Sequence, residues 1–209
     1  MASILSCLYE LGVCATASKE VIKKFKIDNF IINHKYEHST KPVFDLLRAA
    51  TAIPTWIDFS QTGKFNEGTV RVCIKNPDNS TNDKAVAPDI NDSSIGLCLR
   101  YGGNLVYLTG DAGYPVINSK FAYGFHSAYD NFLKVSHHGS ITGTNQTVLN
   151  NLEPTHNFIS AGTSKRYNHP DVAVVAMIRN HRRRPTLSIS KHIGRTVRYE
   201  ITGTNIVES

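Results

Sequence analysis

The sequence predicts a layered α/β sandwich. Three observations predict it. Short apolar strands occur in both halves of the chain, helical stretches separate those of the second half, and antiparallel hairpin signals occupy the middle and the end.

Residues 4–11 read as a short helix. Residues 18–26 read as a second, with Ser18 followed by Glu20 and Lys23 as a helix start. Residues 28–33 carry Phe30, Ile31 and Ile32 in a buried-strand pattern. The polar stretch from His34 to Thr40 ends that strand. Pro42 then opens a helix over 43–50, because proline is tolerated in a first helical turn. Residues 69–75 alternate, placing Val70, Val72 and Ile74 on one face of a strand. Residues 76–93 are polar and turn-prone and read as a flexible loop. Residues 94–103 and 104–111 form two strands joined at Gly102-Gly103-Asn104, a hairpin signal.

The second half alternates. Residues 132–136 form a strand, 147–152 a helix and 156–161 a strand. Residues 171–180 form an amphipathic helix with Asp171 in its first turn, where a carboxylate complements the helix dipole. Residues 187–191 and 196–202 complete a terminal hairpin around Ile193-Gly194.

The chain has 209 residues, enough for one domain with a proper core. We read residues 1–209 as a single domain, with 1–90 its N-terminal half and 91–209 its C-terminal half. Hydrophobic residues make up 41% and charged residues 19%, which excludes a disordered chain and a coiled coil. No apolar run approaches the roughly 20 residues that span a bilayer. The first fifteen residues lack a basic flank and carry Glu10, unlike a signal peptide. The expectation is a soluble cytoplasmic protein without membrane contact.

Lys plus Arg number 23 and Asp plus Glu 17, for a net charge of +6, which favours anionic partners without naming one. The densest basic cluster is Arg182, Arg183 and Arg184. It reads either as a solvated helix end before Pro185 or as a contact for nucleic-acid phosphates. The four cysteines form no CxxC pair, so they suggest reduced core thiols and no thiolate zinc site.

Three stretches place metal-type ligands or turn residues directly after apolar strands. The first is Thr109-Gly110-Asp111, where a carboxylate at the sheet rim can hold one cation or bridge two. The second is His137-His138-Gly139-Ser140. Adjacent histidines point apart, so one can bind a metal while the other orients it or handles protons. The third is Tyr167-Asn168-His169-Pro170, read either as a helix cap with a surface histidine or as an imidazole facing substrate.

These stretches come in an order that resembles the metallo-β-lactamase fold. They resemble in particular the hydrolase domain of bacterial competence DNA-uptake proteins. The resemblance rests on Asn-x-x-Ser at Asn91 to Ser94, Gly110-Asp111, His137-His138-Gly139-Ser140 and the Tyr167 to Pro170 stretch, and runs from about residue 91 to 200. Asn168 stands where that family usually has glycine. The family's signature His-x-His-x-Asp-His maps onto residues 34–39. Aligned on the strand, His34 matches the first histidine, Tyr36 replaces the second, His38 the aspartate and Ser39 the last. A shift by one matches Glu37-His38 to Asp-His but puts Asn33 and Lys35 at the two histidines. In either register the signature is broken.

The resemblance implies an αββα sandwich whose first sheet is incomplete, because the family has further strands before this point. It implies a partner, either a second copy or another protein, that covers the exposed edge. It also implies one or two divalent metals, zinc or manganese, on Asp111, His137, His34 and His38. The catalytic surroundings would be His138, Ser140 and His169. Two functions follow as expectations. One is a metal-dependent hydrolase with a weakened centre, directed at a phosphodiester, nucleic acid or another ester. The other is a non-catalytic binding or assembly module that has lost its metal site.

Overall fold

The structure is a computed structural model that describes residues 4–6, 29–32, 55–58, 63–76, 89–121, 129–163, 167–193 and 197–209. Strands β1 (Ile4–Ser6), β2 (Asn29–Ile32) and β3 (Thr55–Asp58) form a parallel sheet in that order. A larger sheet holds β4 (Gly63–Glu67), β5 (Val70–Asn76), β6 (Gly96–Tyr101), β7 (Asn104–Leu108), β8 (Asn131–Lys134), β9 (His156–Ile159) and β10 (Thr186–Ile189). Its spatial order is β10-β9-β8-β7-β6-β5-β4. From β4 to β7 the neighbours are antiparallel; from β7 to β10 they are parallel.

Parallel neighbours need a long crossover, and helices supply each one. Helix α1 (Tyr114–Lys120) joins β7 to β8, α2 (Gln146–Leu152) joins β8 to β9, and α3 (Val172–Arg179) joins β9 to β10. Asn145 caps α2 by accepting the Val148 N–H at 2.9 Å. Strands β11 (Tyr199–Ile201) and β12 (Ile206–Glu208) form a separate antiparallel pair. The α/β class expected from the sequence is the class observed.

Several elements differ from expectation. Ile4–Ser6 is a strand, not a helical turn: its short apolar run pairs in parallel with β2. The helices expected at 18–26 and 43–50 lie outside the described residues. Strands β3 and β4 and helix α1 had no assignment from the sequence, although Pro115 in the first turn of α1 is a helix-start signal. The terminal hairpin turns elsewhere. β10 joins β9 in parallel, Ser190–Ile193 makes a single helical turn, and the hairpin closes where Thr202 N–H donates to Asn205 O at 2.9 Å. Pairing β10 with β9 places Ile189 in the core. The expected loop also has fixed ends. Asn76 is the buried last residue of β5, and its amide donates to Asp92 O and Ser94 O, both at 2.7 Å. Ile90–Ser93 is a 3-10 turn capped by Asp89.

Among the described residues, two apolar clusters lie on the large sheet. One joins the parallel half to its helices through Tyr107, Ile117, Leu133, Leu149, Ile159 and Ile178, among others. The second contains Val72 and Ile74, the alternation read from the sequence, with Ile95 and Leu97. Each such side chain contributes about 1.5–3 kcal/mol on burial. On the other face, Tyr199 packs edge-on against Phe132 and Phe158, with ring centroids 4.7 and 6.3 Å away.

Candidate functional site

Strands β7, β8 and β9 are adjacent and parallel, so their carboxyl ends share one rim. In open α/β sheets that rim is the usual place for ligands. The three stretches singled out in the sequence are the loops that leave it.

After β7, Gly110 turns the chain with φ 60°. Its carbonyl accepts from His137 N–H at 3.2 Å, Ser136 Oγ at 3.2 Å and Lys134 Nζ at 3.3 Å. Asp111 is buried, and its N–H donates to Ser94 Oγ at 3.1 Å. Among the described residues, Lys134 Nζ lies 3.8 Å from Asp111 Oδ1, and His138 Nε2 lies 3.9 Å from Asp111 Oδ2.

After β8, His137, His138 and Gly139 all have positive φ, at 46°, 53° and 82°. For the two histidines this conformation costs roughly 1–2 kcal/mol each. Such geometry persists only where the surroundings enforce it, and it concentrates at functional sites. His138 Nδ1 bonds the Ser160 carbonyl oxygen. A carbonyl only accepts, so Nδ1 carries a proton, and Nε2 is the ring nitrogen turned toward Asp111. His137 turns the other way. Its Nδ1 lies 3.4 Å from Thr142 Oγ1, and its ring lies 5.7 Å from that of His169.

After β9, the exposed Tyr167 stacks on His169, with centroids 6.0 Å apart and planes within 5°. Lys191 Nζ donates to the His169 carbonyl at 2.7 Å, while His169 Nδ1 is buried without a hydrogen-bond partner among the described residues. Ser140 is buried, with Oγ 3.0 Å from Thr142 Oγ1.

The donors suit a divalent metal in kind. A buried carboxylate and an imidazole whose other nitrogen is bound to a backbone carbonyl are typical ligands of zinc or manganese. Their 3.9 Å separation is near the roughly 3.4 Å spanned by two ligands of one tetrahedral ion. They make a partial set. Among the described residues no group of three or more His, Cys, Asp or Glu side chains is placed to hold a metal. His34 and His38 lie outside those residues.

No known protein-family profile matches the chain. Over 95 residues it is 35% identical to "ComE operon protein 3" of Bacillus subtilis (strain 168). That match covers 44% of this chain and 12% of the relative, so the chain spans only a small part of the relative's length. A crystal structure of a protein assigned as a metal-dependent hydrolase, from Parabacteroides distasonis ATCC 8503, aligns with 14% identity and a TM-score of 0.42. The alignment covers 80% of this chain and 78% of that one.

The rim therefore gathers Asp111, His137, His138, Ser140 and His169. Arg182, Arg183 and Arg184 lie elsewhere, just before β10. Arg182 pairs with the buried Glu153, Arg183 Nη2 donates to Tyr129 O at 2.9 Å, and Arg184 is exposed. Three rim residues escaped assignment from the sequence. Ser94 receives the Asp111 N–H. Asp92 Oδ1 receives the Gly113 N–H at 2.8 Å, and burial pushes its carboxyl above the usual range despite that bond. The Asn-x-x-Ser pattern was the signal for this turn. Lys134 was readable only as a charge within the otherwise apolar strand expected at 132–136.

Proposed function

We propose that the chain is a metallo-β-lactamase-like hydrolase domain that cleaves a phosphodiester or another ester with a divalent metal at this rim. The observation that supports the reading best is the convergence of Asp111, the His137-His138 pair and His169 on the ends of three neighbouring strands. The ordered motifs shared with competence DNA-uptake proteins agree with it, as does the 95-residue similarity to one relative.

Asp111 and His138 would hold the metal, zinc or manganese, in a centre weakened by the departures at Tyr36 and Ser39. The family resemblance implied His137 as the ligand; the Nε2 of His138 beside Asp111 favours His138. The bound ion would activate water and polarise the scissile ester. The protein's own groups have definable parts. The Ser160 carbonyl fixes the His138 tautomer, and Ser94 orients the Asp111 backbone. Lys134 balances part of the carboxylate charge. His137 and His169 face each other on the exposed side, where a leaving group needs a proton. A nucleic-acid substrate and a partner across the N-terminal sheet are part of the same proposal.

The second reading, a non-catalytic module, is favoured by the broken signature at residues 34–39. Elemental analysis of chain purified without chelator separates the two. The hydrolase reading expects about one equivalent of metal, lost in Asp111→Asn, together with cleavage of an activated phosphodiester. A parent with under about a tenth of an equivalent, indistinguishable from Asp111→Asn, leaves the module reading.

A further inference from the structure

The turn that carries the two histidines needs something to hold it. Three consecutive residues, His137, His138 and Gly139, occupy the left-handed region. The residue best placed to enforce this is Asp171, which sits in another loop.

Asp171 is the N-cap of α3, where a carboxylate ordinarily accepts the helix's own first N–H groups. It makes no such bond. Its Oδ2 accepts the Ile141 N–H at 2.6 Å, and its own N–H donates to Gly139 O at 3.0 Å. The two bonds bracket Ser140 and close the far side of the turn. The near side is closed by His137 N–H on Gly110 O and by Ser136 Oγ on Ala112 O at 2.6 Å. Pro170, next to Asp171, packs directly on Gly139, leaving no room for a Cβ there.

We propose that Asp171 is a positioning residue: its carboxylate forgoes capping of α3 to hold the His137-His138-Gly139 turn, and so aims the two imidazoles. The inference concerns the site described above but does not require a metal to be bound.

Histidine-labelled NMR of the full chain tests it without metal. Asp171→Ser is the informative variant, because serine can cap a helix but is too short to reach Ile141. The expected result is displaced or doubled imidazole signals for His137 and His138, with those of His156 and His181 unmoved. Asp171→Asn retains a side-chain oxygen for Ile141 and restores the parent spectrum. If Asp171→Ser leaves the two signals at their parent positions, Asp171 serves α3 alone and the proposal is overturned. Zinc titration adds a second arm. Where the parent binds zinc, Asp171→Ser weakens binding about 10–100-fold and Asp171→Asn does not. A parent that binds no zinc removes the hydrolase reading, and the NMR result still decides the role of Asp171.

Discussion

The two ends of the parallel half-sheet handle polar groups in opposite ways. At the carboxyl ends of β7, β8 and β9, most polar atoms are tied to one another: the Gly110 carbonyl, Ser94, Ser136, His138 and Asp171 all have partners, and His169 Nδ1 is an exception among the described residues. The half-exposed imidazoles open to solvent there. At the amino ends, polar side chains are sealed in. Asn131, Glu153, Asn157 and His181 are at most 2% exposed. Among the described residues, Asn131 Oδ1, both amide atoms of Asn157 and His181 Nε2 have no hydrogen-bond partner, and the Glu153 carboxylate rests on its ion pair with Arg182. A buried polar group left unpaired costs about 1–3 kcal/mol. Strain at the rim is thus local and backed by partners, whereas the amino end is where changes in charge act on stability.

The largest effect should come from breaking the rim's backbone. Gly139 has φ 82°, and a Cβ there would lie 2.6 Å from Pro170 Cβ and 3.3 Å from two carbons of Ile159. Pro170 is rigid and cannot swing aside. Gly139→Ala should lose about 2–4 kcal/mol in urea unfolding and disturb the His137 and His138 signals. A loss within about 0.5 kcal/mol would mean that the turn is adaptable and the contrast between the ends is false.

The amino end should respond next. Glu153 is buried and its carboxylate pairs with Arg182, whose side chain is 69% exposed. Arg182→Ala removes that charge partner and should cost about 2 kcal/mol, below the usual range for a buried pair because water reaches the arginine. Adding Glu153→Gln should recover most of the loss. A double variant no more stable than Arg182→Ala would show that the carboxylate charge is not what Arg182 serves.

The two ends were not equally legible in the sequence. Gly110-Asp111 and His137-His138-Gly139-Ser140 were readable because each follows an apolar strand and keeps its residues close in sequence. Asp171 was readable only as a helix-start acid. Its bond to Ile141 spans 30 residues, and no local pattern encodes such a contact. The amino-end cluster was invisible for the same reason. Asn131, Glu153 and His181 belong to different loops and strand ends, and Asn157 sits in an apolar strand where a single polar residue carries no period. The terminal hairpin was misplaced because propensity cannot distinguish which apolar strand β10 will pair with.

The smallest effect is also the most diagnostic of the sealed end, because acid reaches it before the carboxylates titrate. Burial first, and then the nearby positive charge of Arg183, push the His181 pKa below its ordinary 6.5. Burial also lowers His156, against the opposing pull of Asp130 and Glu208. With the folded pKa depressed, the unfolded chain binds protons first as pH falls through about 6.5. Unfolding then takes up protons, so stability rises with pH across this window. It is complete above the unfolded value and is lost as pH falls toward the folded values. Asp92 has the opposite sign: burial raises its pKa from 3.8, so its contribution is present in acid and lost as pH rises through the folded value. Urea midpoints should therefore fall between about pH 7 and pH 5.5, and His181→Gln should flatten part of that slope. A flat parent curve would mean that His181 is charged or solvated in the fold. The amino end would then be as open to water as the rim.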